Sequence, residues 1–327
     1  MDKVLRNSKV LVTGGAGFIG SNLVESFLQS GNSVVCLDNF STGKKDNLKE
    51  FKDHPAFSLI NGDIRDYNVC SQACEGIDYV FHQAALGSVP RSIKDPVSTT
   101  DVNIGGFVKT LFASKEAGVK RFIYAASSST YGDHPDLPKV EDKIGTPLSP
   151  YAITKYVDEL FAANFAKIYG IEVIGLRYFN VFGRRQDPDG AYAAVIPKFV
   201  KMLMNHESPV INGDGTYSRD FTYIDNVIQA NHLAAIVQDK RALNQVYNVA
   251  NGERTTLNQL FITIREIASN YDSEIGHIEP VYGLVRAGDI PHSHASIMKA
   301  CKILGFSPTL KVVEGLKEAV KWFRNNL

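Results

Sequence analysis

The segment Lys9–Gly20 constrains the fold of this chain more strongly than any other part of its sequence. The apolar run Lys9–Thr13 has the composition of a buried strand, and it leads through Gly14-Gly15-Ala16-Gly17-Phe18-Ile19-Gly20 into a stretch of helical period. Glycines in such a loop allow a tight turn, let the backbone approach a pyrophosphate and let the helix pack closely on the strand. The helix N-terminus then offers free N–H groups to the anion. The segment therefore predicts a dinucleotide-binding loop whose binding residues are Gly14, Gly17, Phe18, Ile19 and Gly20.

An acidic residue follows the second predicted strand, Ser33–Leu37. Asp38 stands 18 residues beyond Gly20. A carboxylate there accepts both hydroxyls of a ribose and repels a 2′-phosphate, so the pattern favours NAD over NADP. Asp63, after the third predicted strand, is expected to accept a hydrogen bond from the adenine amino group. The alternative is a glycine turn that serves only packing, with Asp38 as the cap of the next helix.

Short β-branched runs alternate with longer stretches of helical period from residue 9 to about residue 177. This alternation is typical of βαβ units and predicts an α/β fold with a Rossmann-like, doubly wound parallel sheet. The predicted strands are Lys9–Thr13, Ser33–Leu37, Phe57–Ile60, Tyr79–Gln83, Arg121–Ala125 and Val173–Arg177. Beyond about residue 178, prolines and glycine-rich turns separate shorter elements, which predicts a smaller α/β C-terminal domain.

Composition and charge exclude several classes of protein. Lys and Arg total 35 and Asp and Glu total 35, so the chain has no net positive field for nucleic acid. It contains neither an apolar leader nor an apolar run of about 18 residues, so we expect no membrane segment and a cytoplasmic location. Its one close cysteine pair, Cys70 and Cys74, lacks the further ligands of a zinc site. We therefore expect no metal and reduced thiols.

A second motif, Ser149-Pro150-Tyr151-Ala152-Ile153-Thr154-Lys155, is predicted to open a helix and to place Tyr151 and Lys155 on one face. An ammonium beside a phenol stabilises the phenolate, which a tyrosine needs in order to act as a base at neutral pH. Ser127 comes just after the fifth predicted strand, where its hydroxyl is placed to bond the same substrate oxygen. The alternative is an ordinary helix pair beside an exposed serine turn.

The whole chain resembles the extended short-chain dehydrogenase/reductase family, and within it the bacterial UDP-N-acetylhexosamine 4-epimerases of polysaccharide and O-antigen synthesis. The segments that carry this resemblance are Thr13–Gly20, Asp38–Gly43, His82–Ser92 (HQAALGSVPRS), Ala125–Asp133, Tyr151–Lys155, Arg177–Gly190 (RYFNVFGRRQDPDG), Ser218–Asn226 (SRDFTYIDN) and Arg286–Ser293 (RAGDIPHS). Several of these segments are long and chemically unusual. The resemblance implies a sugar-nucleotide enzyme with bound NAD.

The resemblance also implies roles for the motif residues. Tyr151 would be the base, Lys155 would hold the nicotinamide ribose, and Ser127 would orient the sugar O4. Hydride would pass from the sugar C4 to NAD and return to the other face of a 4-keto intermediate, so NAD is not consumed. The further cofactor residues that the resemblance implies are Asn39, Ser41, Gly43, Ile64, Gln83, Ala84, Ala85, Asn103 and Tyr178.

For the UDP-sugar, the resemblance implies residues in the second half of the chain together with the serines near the catalytic site. They are Ser88, Ser127, Ser128, Ser129, Tyr151, Asn180, Lys198, Val210, Asn212, Arg219, Arg286, Asp289 and Ser293. We expect residues 1–178, with part of about 224–250, to form the NAD-binding domain. Residues 179–223 and 251–327 are expected to form the UDP-sugar-binding domain.

Two features favour epimerisation of an acetamido sugar. Related dehydratases and decarboxylases carry acids at the positions of Ser128 and Ser129, and a hydroxyl cannot replace a carboxyl as general acid or base. Ser293 falls where galactose-only members carry a bulky tyrosine, so its small side chain leaves room for a 2-acetamido group. The alternative is that Ser293 is a loop residue without a gating role.

The predicted function is therefore interconversion of UDP-N-acetylglucosamine (UDP-GlcNAc) and UDP-N-acetylgalactosamine (UDP-GalNAc), with their uronic acids also considered. The alternatives are a UDP-glucose/UDP-galactose 4-epimerase, a UDP-sugar decarboxylase or dehydratase, and a non-catalytic NAD-binding sensor. The resemblance also implies a homodimer that packs two helices of each chain into a four-helix bundle. The apolar residues of those helices are Phe107, Leu111, Phe112, Leu160, Phe161 and Phe165.

Overall fold

The computed structural model describes residues 3–190, 193–285 and 290–327. Its strands are β1 (Lys9–Thr13), β2 (Ser33–Asp38), β3 (Phe57–Asn61), β4 (Tyr79–His82), β5 (Arg121–Ser127), β6 (Glu172–Tyr178), β7 (Val181–Phe182), β8 (Val210–Asn212), β9 (Ser218–Arg219), β10 (Thr222–Tyr223), β11 (Gln245–Val249), β12 (Thr255–Thr256) and β13 (Val281–Gly283). Its helices are α1 (Phe18–Gln29), α2 (Tyr67–Cys74), α3 (Val89–Lys94), α4 (Pro96–Thr100), α5 (Phe107–Glu116), α6 (Pro150–Tyr169), α7 (Val195–Met204), α8 (Ile224–Ile236), α9 (Leu257–Ser269) and α10 (Val312–Asn326). None of the helices in these described ranges is long and apolar enough to cross a membrane.

The centre of the structure is a seven-stranded sheet in the order β11-β6-β5-β4-β1-β2-β3. Every neighbouring pair of strands is parallel. The strand order reverses between β1 and β4, which is the point where ligands bind in doubly wound sheets. The predicted Rossmann-like α/β fold is confirmed, and all six predicted strands are present to within two residues at each end.

Two apolar cores lie on opposite faces of this sheet. One contains buried side chains of α2, α5 and α6, and the other contains those of α1 and α8 and extends into α7, α9 and α10. The strands between the cores are apolar on both faces, as parallel strands covered on both sides must be. The four cysteines are unpaired thiols, and three of them are buried in these cores.

The seventh strand, β11, lies beside β6 and had no counterpart among the predicted strands. Its residues follow α8 along the chain, within the range 224–250 that was expected to join the sheet domain. A buried arginine, Arg121 at the start of β5, holds α8 against the sheet. Its guanidinium donates to the Ala234 and Ala235 carbonyls at the end of α8, at 2.7 and 2.9 Å, and pairs with Glu172 on β6. The domain boundaries themselves stay a prediction.

Three short strand pairs join the irregular second half of the chain to the carboxyl edge of the sheet. β7 pairs with β10, β8 pairs with β13, and β9 pairs with β12. The pair of β7 with β10 brings the segment after β9 next to the segment that follows β6. Four of the residues predicted to bind the nucleotide therefore come from distant parts of the chain but line one cavity, and they are Asn180, Lys198, Asn212 and Arg219.

Candidate active site

A cavity of about 540 Å³ opens at the carboxyl edge of the sheet, where β1 and β4 end. Its walls are the glycine loop after β1, the residues that follow β2, β3, β4 and β5, and the first turns of α6. Of the predicted cofactor residues, all but Gly43 and Asn103 line it. They are Gly14, Gly17, Phe18, Ile19, Gly20, Asp38, Asn39, Ser41, Asp63, Ile64, Gln83, Ala84, Ala85, Tyr151, Lys155 and Tyr178.

The glycine loop leaves no room for side chains at two positions. Gly14 has φ of +68°, and a Cβ atom there would lie 2.7 Å from the Ala84 backbone nitrogen. A Cβ at Gly20 would lie 2.1 Å from the Gly14 carbonyl oxygen. Without a side chain, Gly14 lets the loop after β1 lie against the segment after β4, and Gly20 lets the start of α1 lie against that loop.

The N-terminus of α1 is free to bind an anion. Gly17 occupies the cap position, no side chain accepts from the first-turn N–H groups, and no acidic residue lies in the first turn. These N–H groups and the helix dipole therefore face the cavity without an internal partner. Their arrangement fits the pyrophosphate of a dinucleotide.

The Asp38 carboxylate is buried at the end of β2 and oriented by two backbone groups. Its Oδ2 accepts from Ala16 N–H at 2.9 Å and its Oδ1 accepts from Phe40 N–H at 2.7 Å. Each oxygen keeps a lone pair for a ribose hydroxyl. Asp38 is not the cap of the next helical turn, because that turn spans Lys45–Leu48 and its cap residue is Lys44.

Asp63 lines the same cavity but is already engaged by neighbours. Its carboxylate forms an ion pair with Arg65 at 2.8 Å and accepts from Asn39 Nδ2 at 2.8 Å. The Arg65 guanidinium lowers the pKa of Asp63 to about 2, so the group is ionised at neutral pH. Its contact with the adenine amino group stays a prediction.

Two predicted cofactor residues lie behind the cavity wall. Asn103 is buried, accepts from Leu86 N–H at 2.8 Å and donates to Thr154 Oγ1 at 3.0 Å, so it ties the loop after β4 to α6. Gly43 packs on the phosphate loop, since a Cβ there would lie 2.8 Å from the Ala16 Cβ. Their contacts with NAD stay a prediction.

Ser127, Tyr151 and Lys155 line the same cavity, Ser127 from the end of β5 and the other two from the first turns of α6. α6 begins here because Ser149 caps it, its hydroxyl accepting from Ala152 N–H at 3.1 Å, and because Pro150 suits the first helical turn. The buried Lys155 ammonium donates to the Ala125 carbonyl at 3.0 Å. The arrangement provides a phenol, an ammonium and a hydroxyl at one wall, which is a set suited to proton transfer.

The Ser127 hydroxyl is prepared to act as a donor. Its Oγ accepts from Ser129 N–H at 3.1 Å and from Ser129 Oγ at 2.8 Å. A hydroxyl has two acceptor positions, so the remaining Ser127 proton is available to a group in the cavity. Ser128 lines the cavity, whereas Ser129 lies behind Ser127 and orients it.

A second cavity of about 240 Å³ adjoins the first, and Asn180 and Val181 line both. It contains five of the residues predicted to bind the UDP-sugar, namely Asn180, Lys198, Val210, Asn212 and Arg219. Lys198 and Arg219 bring positive charge to it, as a nucleotide diphosphate requires. A dinucleotide and a second nucleotide could thus occupy adjoining sites.

Four further residues were predicted to bind the UDP-sugar. Ser88 caps α3 by accepting from Arg91 N–H and lines neither of the two cavities. Ser293 N–H donates to the Ser218 carbonyl at 3.0 Å, which places Ser293 beside β9. Arg286 and Asp289 lie outside the described residues.

Sequence reasoning missed several residues that line the cavities. In the first cavity they are Leu37, Thr42, Gly62, Leu86, Gly87, Val102, Ala125, Ala126 and Val181, most of which follow a strand of the sheet. In the second they are Val181, Phe182, Ala193, Ala194, Val195, Ile196, Phe199, Phe221 and Leu257. Proximity to a strand end could have identified the first group, but nothing in the sequence distinguishes the second from ordinary core residues.

Comparisons with known proteins agree on a family. The model of the NAD dependent epimerase/dehydratase family matches residues 10–250. The UDP-N-acetylglucosamine 4-epimerase from Methanobrevibacter ruminantium M1, solved in complex with UDP-N-acetylmuramic acid, is 40% identical and superposes with a TM-score of 0.92, covering 99% of this chain and 100% of that chain.

Two other relatives carry other sugars in their names. The UDP-glucuronic acid 4-epimerase from Bacillus cereus, solved with UDP-glucuronic acid and NAD, is 31% identical with a TM-score of 0.87, covering 98% of this chain and 100% of that chain. The UDP-glucose 4-epimerase of Mycolicibacterium smegmatis is 34% identical over 97% of this chain and 99% of its own length. The three relatives share C4 epimerisation of a UDP-sugar and differ in the sugar.

Replacing Gly20 with alanine tests the close approach of α1 to the phosphate loop. The added Cβ would collide with the Gly14 carbonyl and displace the anion-binding N–H groups. We expect Gly20→Ala to weaken NAD binding by at least about tenfold, or about 1.4 kcal/mol, in isothermal titration calorimetry. Gly276→Ala, where a Cβ would make only an ordinary 3.6 Å contact, is the control. Equal affinity in both variants would contradict this account of the loop.

Proposed function

The chain belongs to the NAD-dependent epimerase/dehydratase family, and on that premise we propose that it interconverts UDP-GlcNAc and UDP-GalNAc by inverting the sugar C4. The observation that carries this proposal is the position of Ser127, Tyr151 and Lys155 in the cavity that the dinucleotide loop also lines. A second, cationic cavity adjoins it. UDP-sugar 4-epimerisation with NAD is the general activity of the relatives, and the acetamido sugar is the specific proposal.

The side chains account for the proton transfers of C4 inversion. When bound, NAD supplies a nicotinamide ring that reversibly accepts a hydride. Tyr151 takes the proton of the C4 hydroxyl during oxidation and returns it during reduction of the other sugar face. The Ser127 hydroxyl donates a hydrogen bond to the same oxygen and keeps its proton. Lys155 places positive charge beside the phenolate that forms on Tyr151.

The two residues that follow the catalytic hydroxyl provide neither an acid nor a base for an elimination step. Ser128 and Ser129 follow Ser127, and a serine hydroxyl cannot replace a carboxyl as general acid or base near neutral pH. C4 inversion needs no carboxyl at this place, whereas dehydration does. This argument favours a 4-epimerase over a dehydratase or a decarboxylase.

The charges of the larger cavity favour a neutral sugar. Among the described residues that line it, the charged side chains are Asp38, Asp63 and Lys155. Arg184 and Arg185 belong to the segment Arg177–Gly190, and both form ion pairs with Glu25. A C6 carboxylate therefore gains no cation from Arg184 or Arg185, which supports the acetamido sugar over its uronic acid. The cytoplasmic location stays a prediction.

Proton NMR of UDP-GlcNAc incubated with the purified protein and no added NAD tests the activity. We expect the equatorial H4 signal of UDP-GalNAc to appear, and Tyr151→Phe to lower the rate by about 10² to 10⁴ because the base is lost. Tyr156→Phe, a change at a neighbouring position of α6, is the matched control. Turnover of UDP-glucose but not of UDP-GlcNAc would show that the substrate is the non-acetylated sugar. Full activity of Tyr151→Phe would contradict the mechanism. NAD binding without turnover of any UDP-hexose would favour the sensor.

A tyrosine at position 293 tests the size of the sugar pocket. We expect Ser293→Tyr to lower kcat/KM for UDP-GlcNAc by about 100-fold, because the ring fills the space of the acetamido group, and to leave UDP-glucose within about threefold. Ser307→Tyr, at an exposed position, is the control. Equal losses on both sugars would show that Ser293 does not select the substrate.

We also propose that the protein is a homodimer that pairs its α6 helices. Leu160 and Ile168 on α6 are 51% and 61% exposed, and Val97 on α4 is 78% exposed. Of these helices, α6 is one of the two that the family resemblance assigns to a four-helix bundle, and α4 packs beside it. By contrast, Phe107, Leu111 and Phe165 are buried within the chain.

Sedimentation equilibrium measures the assembly directly. We expect twice the chain mass at micromolar concentration, and a mass close to that of one chain for Leu160→Asp, because a charge there would lose its solvation in the interface. Ile262→Asp, at a 43% exposed position on α9, provides a matched control and keeps the dimer mass. A monomeric wild-type protein would rule out the proposed bundle.

A further inference from the structure

One carboxyl group next to the catalytic residues has no role in the proton transfers described above. Asp158 lies on α6, three residues after Lys155, and its side chain is completely buried. Its Oδ2 lies 3.2 Å from the Lys155 Nζ. The pair is therefore an internal ion pair of α6 at the base of the cavity that Lys155 lines.

The two partners of the Lys155 ammonium approach it from different elements. The Ala125 carbonyl belongs to β5, and the Asp158 carboxylate belongs to α6. An ammonium held by both loses most of its rotational freedom. Its remaining donor is available to a group in the cavity.

Only one of the two oxygens of the Asp158 carboxylate has a hydrogen-bond partner among the described residues. Its Oδ1 is buried and has no hydrogen-bond partner among the described residues. Burial raises the pKa of Asp158, and Lys155 opposes this effect. A buried carboxyl with one unpaired oxygen is costly, and its described hydrogen bond is to Lys155.

We propose that Asp158 is a positioning residue, whose carboxylate holds the Lys155 ammonium in place and reduces the positive charge that Lys155 presents to Tyr151. The proposal rests on the proposed function, in which Lys155 acts on the Tyr151 phenolate. An ammonium with a close counter-ion stabilises that phenolate less than a free ammonium would. Asp158 thereby sets the pH at which the base becomes active.

The other titratable groups around the pair are neutral, paired or at least partly exposed. Burial lowers the pKa of His82 on β4 to about 3 and raises the pKa of Tyr124 on β5, so both are neutral. Glu159 on α6 is paired with Arg177 on β6 at 2.7 Å. Burial also raises the pKa of Tyr131, in the turn after β5, to about 12. The charged residues of α3 and the α4–α5 segment are at least partly exposed, and they are Arg91, Lys94, Asp101, Lys109, Lys115 and Glu116.

An ultraviolet titration of the NAD-loaded protein measures the phenolate directly. Subtracting the Tyr151→Phe spectrum isolates Tyr151 from the 14 tyrosines of the chain. The same subtraction is made for Asp158→Asn, with the double variant Asp158→Asn/Tyr151→Phe as its reference. We expect Asp158→Asn to lower the titration midpoint by about one pH unit, because the ammonium loses its counter-charge. The acid limb of the kcat profile should move by the same amount.

Glu141→Gln is the matched control, because Glu141 is also a buried carboxyl but accepts from Asn248 N–H rather than from Lys155. Its titration midpoint should equal that of the wild type. An unchanged midpoint in Asp158→Asn, or an equal shift in Glu141→Gln, would overturn the proposal. A wild-type protein that turns over no UDP-sugar would instead refute the proposed function, while the ultraviolet titration still reports on Asp158.

A stability measurement keeps the proposal testable if Asp158→Asn does not fold. Lys155→Met leaves the Asp158 carboxyl buried without its partner, whereas Lys155→Met/Asp158→Leu removes both groups. We expect the double variant to unfold at a higher urea concentration than Lys155→Met alone. Additive losses from the two changes would show that the groups are not coupled, and would overturn the proposal.

Discussion

The attachment of α6 to the sheet is the constraint on which the site depends. Arg177 on β6 is buried and forms a two-point ion pair with Glu159 on α6, at 2.7 and 2.8 Å. The same guanidinium donates to the Glu141 carbonyl and lies 4.8 Å from the ring centre of Tyr131. Breaking such a buried pair from one side costs about 3 to 5 kcal/mol. The pair therefore holds Tyr151 and Lys155 at a defined place relative to the strand ends.

A second buried acid organises the nucleotide side of the site. Asp220 follows β9 and is completely buried, and its carboxylate accepts from the backbone N–H groups of Asn251, Gly252 and Ala295 at 2.9 to 3.2 Å. Asn180, which lines both cavities, donates to the Asp220 carbonyl. One residue thus connects three distant loops, so the irregular half of the chain is held by backbone hydrogen bonds rather than by a second large sheet.

The two cavities divide the chemistry between them. The larger one combines an uncapped helix N-terminus, an anchored carboxylate and a proton-transfer group, whereas the smaller one contains Lys198 and Arg219. The binding of the nucleotide portion can then be used to orient the sugar at Tyr151. Hydroxyls rather than carboxyls around Ser127 limit the chemistry at that wall to proton exchange on one oxygen.

The sequence alone determined the parallel sheet, the glycine loop after β1 and the capped start of α6. These features arise from local rules, since glycine spacing, strand composition and a capped helix each act over a few neighbouring residues. Only the tertiary structure decided that Ser129 orients Ser127, that Asn103 supports the cavity wall from behind, and that Asp158 pairs with Lys155. It also decided which apolar residues after β6 line the second cavity. Burial and hydrogen-bond partners depend on which distant elements pack together, and no local pattern encodes that packing.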